Sequence, residues 1–317
     1  MKPGDLSLQL EAYLALRRAV GFALGAREKP LRDFVAFVEE RGISGVINAQ
    51  VALDWACSAS DRCGVSGKTA RLNIVRRFLF HVSAAVPGIE VPSATLLGTP
   101  LRRQPFLFSA EEISRLLSAA LSLGPKGSLR PYTLSTLLGL LASSGLRVGE
   151  ALNLTVRDVL LELDPPRLHI RKAKFHKSRL VPIHQTVANK LLQYAELRQR
   201  MKYDGISDSF FVSEQRSRIR YKALNDAFRK LVRGLGIEAK DGGRGPSLHS
   251  LRHGFAVDRL RTWYQQGVDI GVHLPQLSVY LGHLEPAQTY WYLSATPELL
   301  SEAARLFADY ATVGGRR

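Results

Sequence analysis

Five short segments in the second half of the chain place Arg, Lys, His and Tyr where they could act together on a phosphodiester. Moving a phosphoryl group without a metal takes cations on the non-bridging oxygens, a nucleophile, and an acid for the leaving oxygen. The first segment, S-S-G-L-R-V-G-E-A-L-N-L, sets Arg147 in a tight turn between two helices, with Glu150 placed to orient it. Arg suits the cationic task because its planar fork meets phosphate through paired hydrogen bonds and keeps its charge. The second, R-K-A-K-F-H-K-S-R-L-V-P-I-H, carries Lys172, Lys174, Lys177 and Arg179 on a hairpin that can reach a DNA groove. A lysine there can protonate a leaving alkoxide once nearby arginines lower its pKa.

In the third segment, S-L-H-S-L-R-H-G-F-A-V-D-R-L, His249 and Arg252 stand three apart. On one helical turn they share a face, so an imidazole and a guanidinium can meet the same phosphate. His253, adjacent to Arg252, is expected to point elsewhere as a packed or solvated histidine. The fourth, L-S-V-Y-L-G-H-L-E-P, closes a helix at Gly282 and presents His283 at its end. The fifth, A-Q-T-Y-W-Y-L-S-A-T-P-E-L-L, lines up Tyr290, Trp291 and Tyr292, which cannot all face one core. At least one hydroxyl must therefore find a partner or solvent. A phenol with a pKa of about 10 is a poor nucleophile until cations and a base assist it, and the other four segments hold both. Each segment alone also has a plain reading: a surface arginine, a basic edge strand, a solvated histidine, a helix cap, a packed aromatic.

These segments need a scaffold, and the rest of the chain describes one. With 317 residues the length allows about two domains. Forty-four Lys and Arg against 28 Asp and Glu leave a formal charge of +16, which points to a polyanionic partner such as nucleic acid. No stretch approaches the roughly 20 apolar residues of a membrane span. The N-terminus carries charges where a signal peptide needs its apolar run, so a cytoplasmic protein is expected. Two cysteines, Cys57 and Cys63, have no second pair to complete a zinc site and read as reduced, partly buried thiols. No metal or other cofactor is expected.

Residues 1–90 read as helices. Leu6, Leu10, Tyr13, Leu14 and Leu16 recur at helical spacing, as do Leu31, Phe34, Val35 and Val38. Asn48 is the expected N-cap of one helix and Ser66 of another, whose Lys68, Arg71, Arg76 and Arg77 form a candidate DNA contact. Residues 91–106, rich in Pro and Gly and holding Arg102 and Arg103, read as a linker that can also touch DNA. From 107 to 317 the pattern restarts with Ser109 and Glu112 as a capping box. A long apolar helix ends at Gly145, a helix follows over A-L-N-L-T-V-R-D-V, and then comes a strand–turn–strand stretch with Pro165-Pro166 at the turn. Helices resume at Gln185. Pro297 opens a last helix with Leu299, Leu300, Ala303, Leu306 and Phe307 on one face, ahead of a polar tail expected to be disordered. The fold class is mainly α (α+β): an all-α domain, a linker, and a mostly helical domain with a small antiparallel sheet.

Taken in order, Arg147 in G-L-R-V-G-E, Lys174 in the hairpin, H-S-L-R at 249–252, L-G-H ending at His283 and a Tyr nine residues later resemble the tyrosine recombinase, or phage integrase, family. Lys174 stands eight residues before Pro182, and Tyr292 follows Thr289 by three, as in that family's pattern. The register selects Tyr292 as nucleophile and leaves Tyr290 to helix packing. The resemblance covers about residues 105–310 closely and the N-terminal part only as a small helical core-binding domain. It implies that Tyr292 attacks a scissile phosphate to give a 3′-phosphotyrosine and a free 5′-hydroxyl. Arg147 and Arg252 would hold the non-bridging oxygens, and His249 would accept the tyrosine proton. Lys174 would protonate the leaving oxygen, and His283 would donate a hydrogen bond to the phosphate. The implied partners are double-stranded DNA with inverted-repeat core sites and further copies of the chain, a dimer per site and a tetramer in a Holliday-junction synapse. The last helix would dock on its own domain or on a neighbour. The implied setting is the nucleoid, and the outcome integration, excision or transposition of a mobile element. Two rivals stand beside this reading: a monomeric type IB topoisomerase-like enzyme, and a DNA-binding regulator without catalysis.

Overall fold

The computed structural model describes residues 5–22, 24–43, 47–58, 64–98, 104–125, 127–171, 178–204, 207–239, 243, 245–283, 285 and 287–295. Cys63, Arg102, Arg103, Lys172, Lys174, Lys177 and the tail helix expected from Pro297 lie outside the described residues. The chain divides into two units, Met1–Arg102 and Arg103–Arg317.

The first unit contains helices α1 (Asp5–Ala19), α2 (Glu28–Glu40), α3 (Ala49–Cys57) and α4 (Val65–Ser83). Their apolar stripes close on one core that includes Leu10, Leu14, Phe34, Trp55, Phe78 and Leu79. Phe34 meets Trp55 edge-on at 5.5 Å between ring centroids, a geometry that aromatic quadrupoles favour. Asn48 caps α3 by accepting from the Val51 amide. The start expected at Ser66 falls earlier: α4 begins at Val65 with Gly64 at its N-cap. Cys57 is exposed, a correction to the partly buried thiol expected there.

The second unit is organised around α6 (Arg130–Ser144), an apolar helix against which α5 (Ala110–Leu121), α8 (Gln185–Arg200) and α10 (Leu248–Gln265) pack. Ser109 and Glu112 form the expected reciprocal cap of α5, a feature that contributes about 1 kcal/mol. The helix expected over A-L-N-L-T-V-R-D-V is shorter, α7 spanning only Val148–Leu152. Beyond it the backbone finds other partners. The Leu154 carbonyl accepts from the Phe210 amide, the Val156 amide donates to the Asp208 carbonyl, and Asp158 caps a short 3-10 turn through Thr155. A three-stranded antiparallel sheet follows, in the order β1 (Val159–Leu160), β2 (Arg167–Ile170), β3 (Arg179–Pro182). Leu168 pairs with Val181 and Ile170 with Arg179, so the alternating apolar residues face the core while Arg179 stands at the start of β3. Helix α9 (Tyr221–Gly234) completes the main core. Helices α11 (Ile270–Leu281) and α12 (Ala287–Ala295) join α10 around a smaller cluster that includes Leu260, Leu274, Leu281 and Tyr292. Among the described residues no helix is long and apolar enough to cross a membrane.

Candidate active site

The site is assembled at the C-terminal end of α11. A helix ends with carbonyls that have no partner inside it and with the negative pole of its dipole. Here three guanidiniums occupy that end. The Tyr280 carbonyl accepts from Arg179 Nε at 3.0 Å, the Leu281 carbonyl from Arg252 Nη2 at 2.8 Å, and the Gly282 carbonyl from Arg147 Nη2 at 2.5 Å.

Two glycines make the convergence sterically feasible. Gly282 ends α11 at φ +69, and a Cβ there would stand 2.7 Å from Arg179 Nη1 and 3.1 Å from Arg147 Nη1. Gly145 ends α6 at φ +60, and its Cβ would stand 2.4 Å from a Phe255 ring carbon. The left-handed conformation and the missing side chain are both required at each position. The Gly145 carbonyl is then turned to accept from Arg252 Nη1 at 2.7 Å.

Arg147 is the N-cap residue of α7, where its extended backbone aims the side chain back toward α11. Glu150, three residues on, accepts from the Arg147 amide at 3.0 Å and from Arg147 Nη1 at 2.9 Å. The same carboxylate takes both terminal nitrogens of Arg179, at 3.0 and 2.9 Å. Burial pushes the Glu150 carboxyl up, but the paired Arg179 and then Arg147 outweigh it and hold it below its ordinary 4.5. One carboxylate thus joins two guanidiniums contributed by different elements.

Arg252 is 2% exposed. Burial, and then the neighbouring Arg147, lower it to about 10, which leaves it charged at neutral pH. His283 follows Gly282 and its Nδ1 lies 2.7 Å from Thr289 Oγ1 on α12. Burial, followed by the charges of Arg252 and Arg147, pushes His283 down to about 4, so it is neutral at pH 7. If Thr289 donates to Nδ1, the ring carries its proton on Nε2 and can donate it to an oxyanion.

Helix α12 presents its two tyrosines on different sides. Tyr290 is 50% exposed, which overturns its assignment to helix packing, whereas Tyr292 is 2% exposed. The difference follows from helical geometry, since residues two apart cannot share a face. Tyr292 packs in the α10–α12 cluster with the His283 ring stacked 6.5 Å away. Its hydroxyl lies 2.8 Å from His253 Nδ1. His253 was expected to point away from the site; instead its ring is half-buried between His249, at 4.4 Å between centroids, and the α12 aromatics. His249 itself is exposed on the first turn of α10.

The structure therefore brings Arg147, Arg252, His249, His283 and Tyr292 to one end of α10–α12, while Lys174 lies outside the described residues. Arg179 is turned inward onto Glu150 and the end of α11, so it is not presented to a DNA groove as the hairpin reading expected. In the first unit, Arg71 donates to the Trp55 carbonyl and stacks on its ring, and Arg76 donates to the Pro92 carbonyl. Arg77 is exposed and Lys68 half-buried. Three residues of this site were missed as such: His253, Thr289 and Arg179. A signal existed for the first, because His249 and His253 are four apart on one helix and must be neighbours.

The profile of the phage integrase family matches residues 107–298. The integrase/recombinase y4rB of Sinorhizobium fredii is 40% identical over 301 residues, covering 93% of this chain and 95% of that protein. The tyrosine recombinase XerD of Mycobacterium tuberculosis is 28% identical over 319 residues, covering 94% and 96%. In fold, the chain is similar to the XerH site-specific recombinase in a post-cleavage complex with a palindromic difH substrate, with a TM-score of 0.67 at 17% identity, covering 89% of this chain and 79% of that one. A match over more than half the chain, joined to a near full-length relative, settles membership: this chain belongs to the phage integrase family of tyrosine recombinases.

Proposed function

We propose that this chain is a site-specific recombinase that cleaves and rejoins DNA strands through a covalent bond between Tyr292 and a 3′ phosphate. The observation that carries the reading is the convergence of a buried tyrosine hydroxyl with Arg147, Arg252 and His283 around the end of α11. Arg147 and Arg252 hold the non-bridging oxygens and offset the charge that builds up as phosphorus gains its fifth oxygen. His283, neutral and oriented by Thr289, donates to the same phosphate. His249, exposed at the start of α10, completes the ring of polar groups.

Lys174, five residues before Arg179 in the sequence, is the acid for the 5′ oxygen in this reading. The bond energy of the phosphodiester is kept in the phosphotyrosine, and a 5′-hydroxyl from another strand then reverses the step without ATP. One nucleophile per protomer and four strands to exchange call for four copies, two on each inverted-repeat site. The segment 297–310, whose sequence pattern reads as an amphipathic helix, is a candidate contact between them. The N-terminal unit acts as a clamp on the core site through exposed cations such as Arg77, in the cytoplasm at the nucleoid. The substrate is the pair of core sites that bound a mobile element, which the enzyme integrates, excises or transposes.

The test is adduct formation on nicked suicide duplexes cut from the DNA flanking the gene, with chelator present and ATP absent. Covalent adducts on those duplexes, and strand exchange between two of them, are expected. Relaxation of any supercoiled plasmid without strand exchange would instead make the chain a topoisomerase.

A further inference from the structure

A proton acceptor for a nucleophilic hydroxyl must lie within hydrogen-bond reach of it, about 2.6–3.2 Å. His253 meets that condition at 2.8 Å from Tyr292 Oη. We infer that His253, rather than His249, accepts the Tyr292 proton during strand cleavage and returns it during ligation. The inference rests on Tyr292 being the nucleophile.

Three features support it. The two histidines are one turn apart on α10 but differ in exposure: His249 is exposed, and His253 is half-buried beside the hydroxyl. Tyr292 is 2% exposed, so bulk water has little access to carry its proton away. The His253 ring is also held in place, with His249 edge-on at 4.4 Å on one side and Trp291 edge-on at 5.7 Å on the other.

In the step itself the Tyr292 O–H bond breaks as the Oη–P bond forms. The proton passes to Nδ1 of a His253 that carries its other proton on Nε2. The P–O5′ bond then breaks, and the 5′ oxygen takes a proton from Lys174. Ligation runs the same transfers backward, with the His253 imidazolium protonating the departing phenolate. His249 is left to meet the phosphate beside Arg252.

Two reactions separate this role from simple packing. In the first, H253A and H253Q are compared with the native chain in single-turnover adduct formation on the flanking-DNA suicide duplex. Both variants are expected to slow on the order of 10²-fold, the scale of a lost proton-transfer group, while binding the duplex normally. Glutamine fills the space but cannot carry the proton, so it guards against a collapse caused by the smaller alanine. In the second, Y292F and H253A/Y292F join a strand ending in a 3′-(4-nitrophenyl) phosphate to a 5′-hydroxyl. Nitrophenolate leaves without a proton, so this joining bypasses the tyrosine and the double variant is expected to match Y292F. Adduct formation at the native rate in H253A and H253Q would overturn the inference, and so would equal losses in both reactions. Adducts formed by Y292F would instead overturn the nucleophile assignment.

Discussion

Replacing Gly282 with alanine puts a methyl group where two guanidiniums already meet. The backbone there has φ +69, a region that disfavours an L side chain by about 1–2 kcal/mol. The new Cβ would lie 2.7 Å from Arg179 Nη1 and 2.8 Å from its Cζ. Comfortable contact begins at about 3.5 Å, so Arg179 must retreat by roughly 0.8 Å. It is not free to do so, because two of its nitrogens hold Glu150 and Nε holds the Tyr280 carbonyl. Forced repacking of this kind costs a further 1–3 kcal/mol or so. The sum, about 2–5 kcal/mol, lowers the melting temperature of a unit of this size by roughly 5–15 °C. Glu150 transmits the shift to Arg147, and a displacement near 1 Å in a phosphate-holding group slows chemistry by about 10²-fold. Circular dichroism melts and single-turnover cleavage of a suicide duplex read the two effects. A G282A protein that melts and cleaves like the native one would refute the assembly of the clamp on the α11 terminus.

E150Q leaves two guanidiniums sharing a neutral amide. Breaking a buried pair in this way destabilises by about 3–5 kcal/mol, read by urea unfolding, and slows cleavage more than it weakens DNA binding. The pH dependence of the same variant is informative. The folded Glu150 carboxyl lies below its unfolded value, so its contribution is present above about pH 4.5 and is lost as pH falls through the folded value; E150Q should flatten that acid limb. His283 acts higher on the scale. Its folded value of about 4 lies below the ordinary 6.5, so the unfolded chain binds the proton first as pH falls. Stability is therefore fully present above pH 6.5 and declines toward pH 4, and H283Q should reduce that slope in melts taken across the interval. T289V removes the partner of Nδ1 on the half-buried His283 ring, at about 1–3 kcal/mol, with slower adduct formation on the suicide duplex.

How much of this site was legible in the sequence depends on whether local spacing carries the information. Gly145 and Gly282 announce helix ends, and the Ser109–Glu112 box announces a start, because caps are short-range chemistry. The order of Arg147, Arg252, His283 and Tyr292 could be read for the same reason: each sits at a turn, a helix face or a helix end. Arg179 could not. Its partners lie 29 and 101 residues away, and no periodicity in the hairpin says whether a guanidinium faces DNA or turns inward. The shortened α7 was hidden likewise, since its competitor is the distant pairing of Leu154 with Phe210. His253 is legible from local spacing, because its neighbour one helical turn away, His249, fixes its face more than the adjacent Arg252 does. The same rule of helix faces separates Tyr290 from Tyr292, yet only tertiary packing says which of the two is buried.

The central claim is that Tyr292 becomes covalently attached to DNA, and mapping the adduct tests it most directly. The protein is trapped on a nicked suicide duplex and digested, and the nucleotide-bearing peptide is sequenced by mass spectrometry. The account predicts a single phosphotyrosine linkage at Tyr292, absent from Y292F and still present in Y290F. A linkage at Tyr290, or an adduct that survives Y292F, would contradict it.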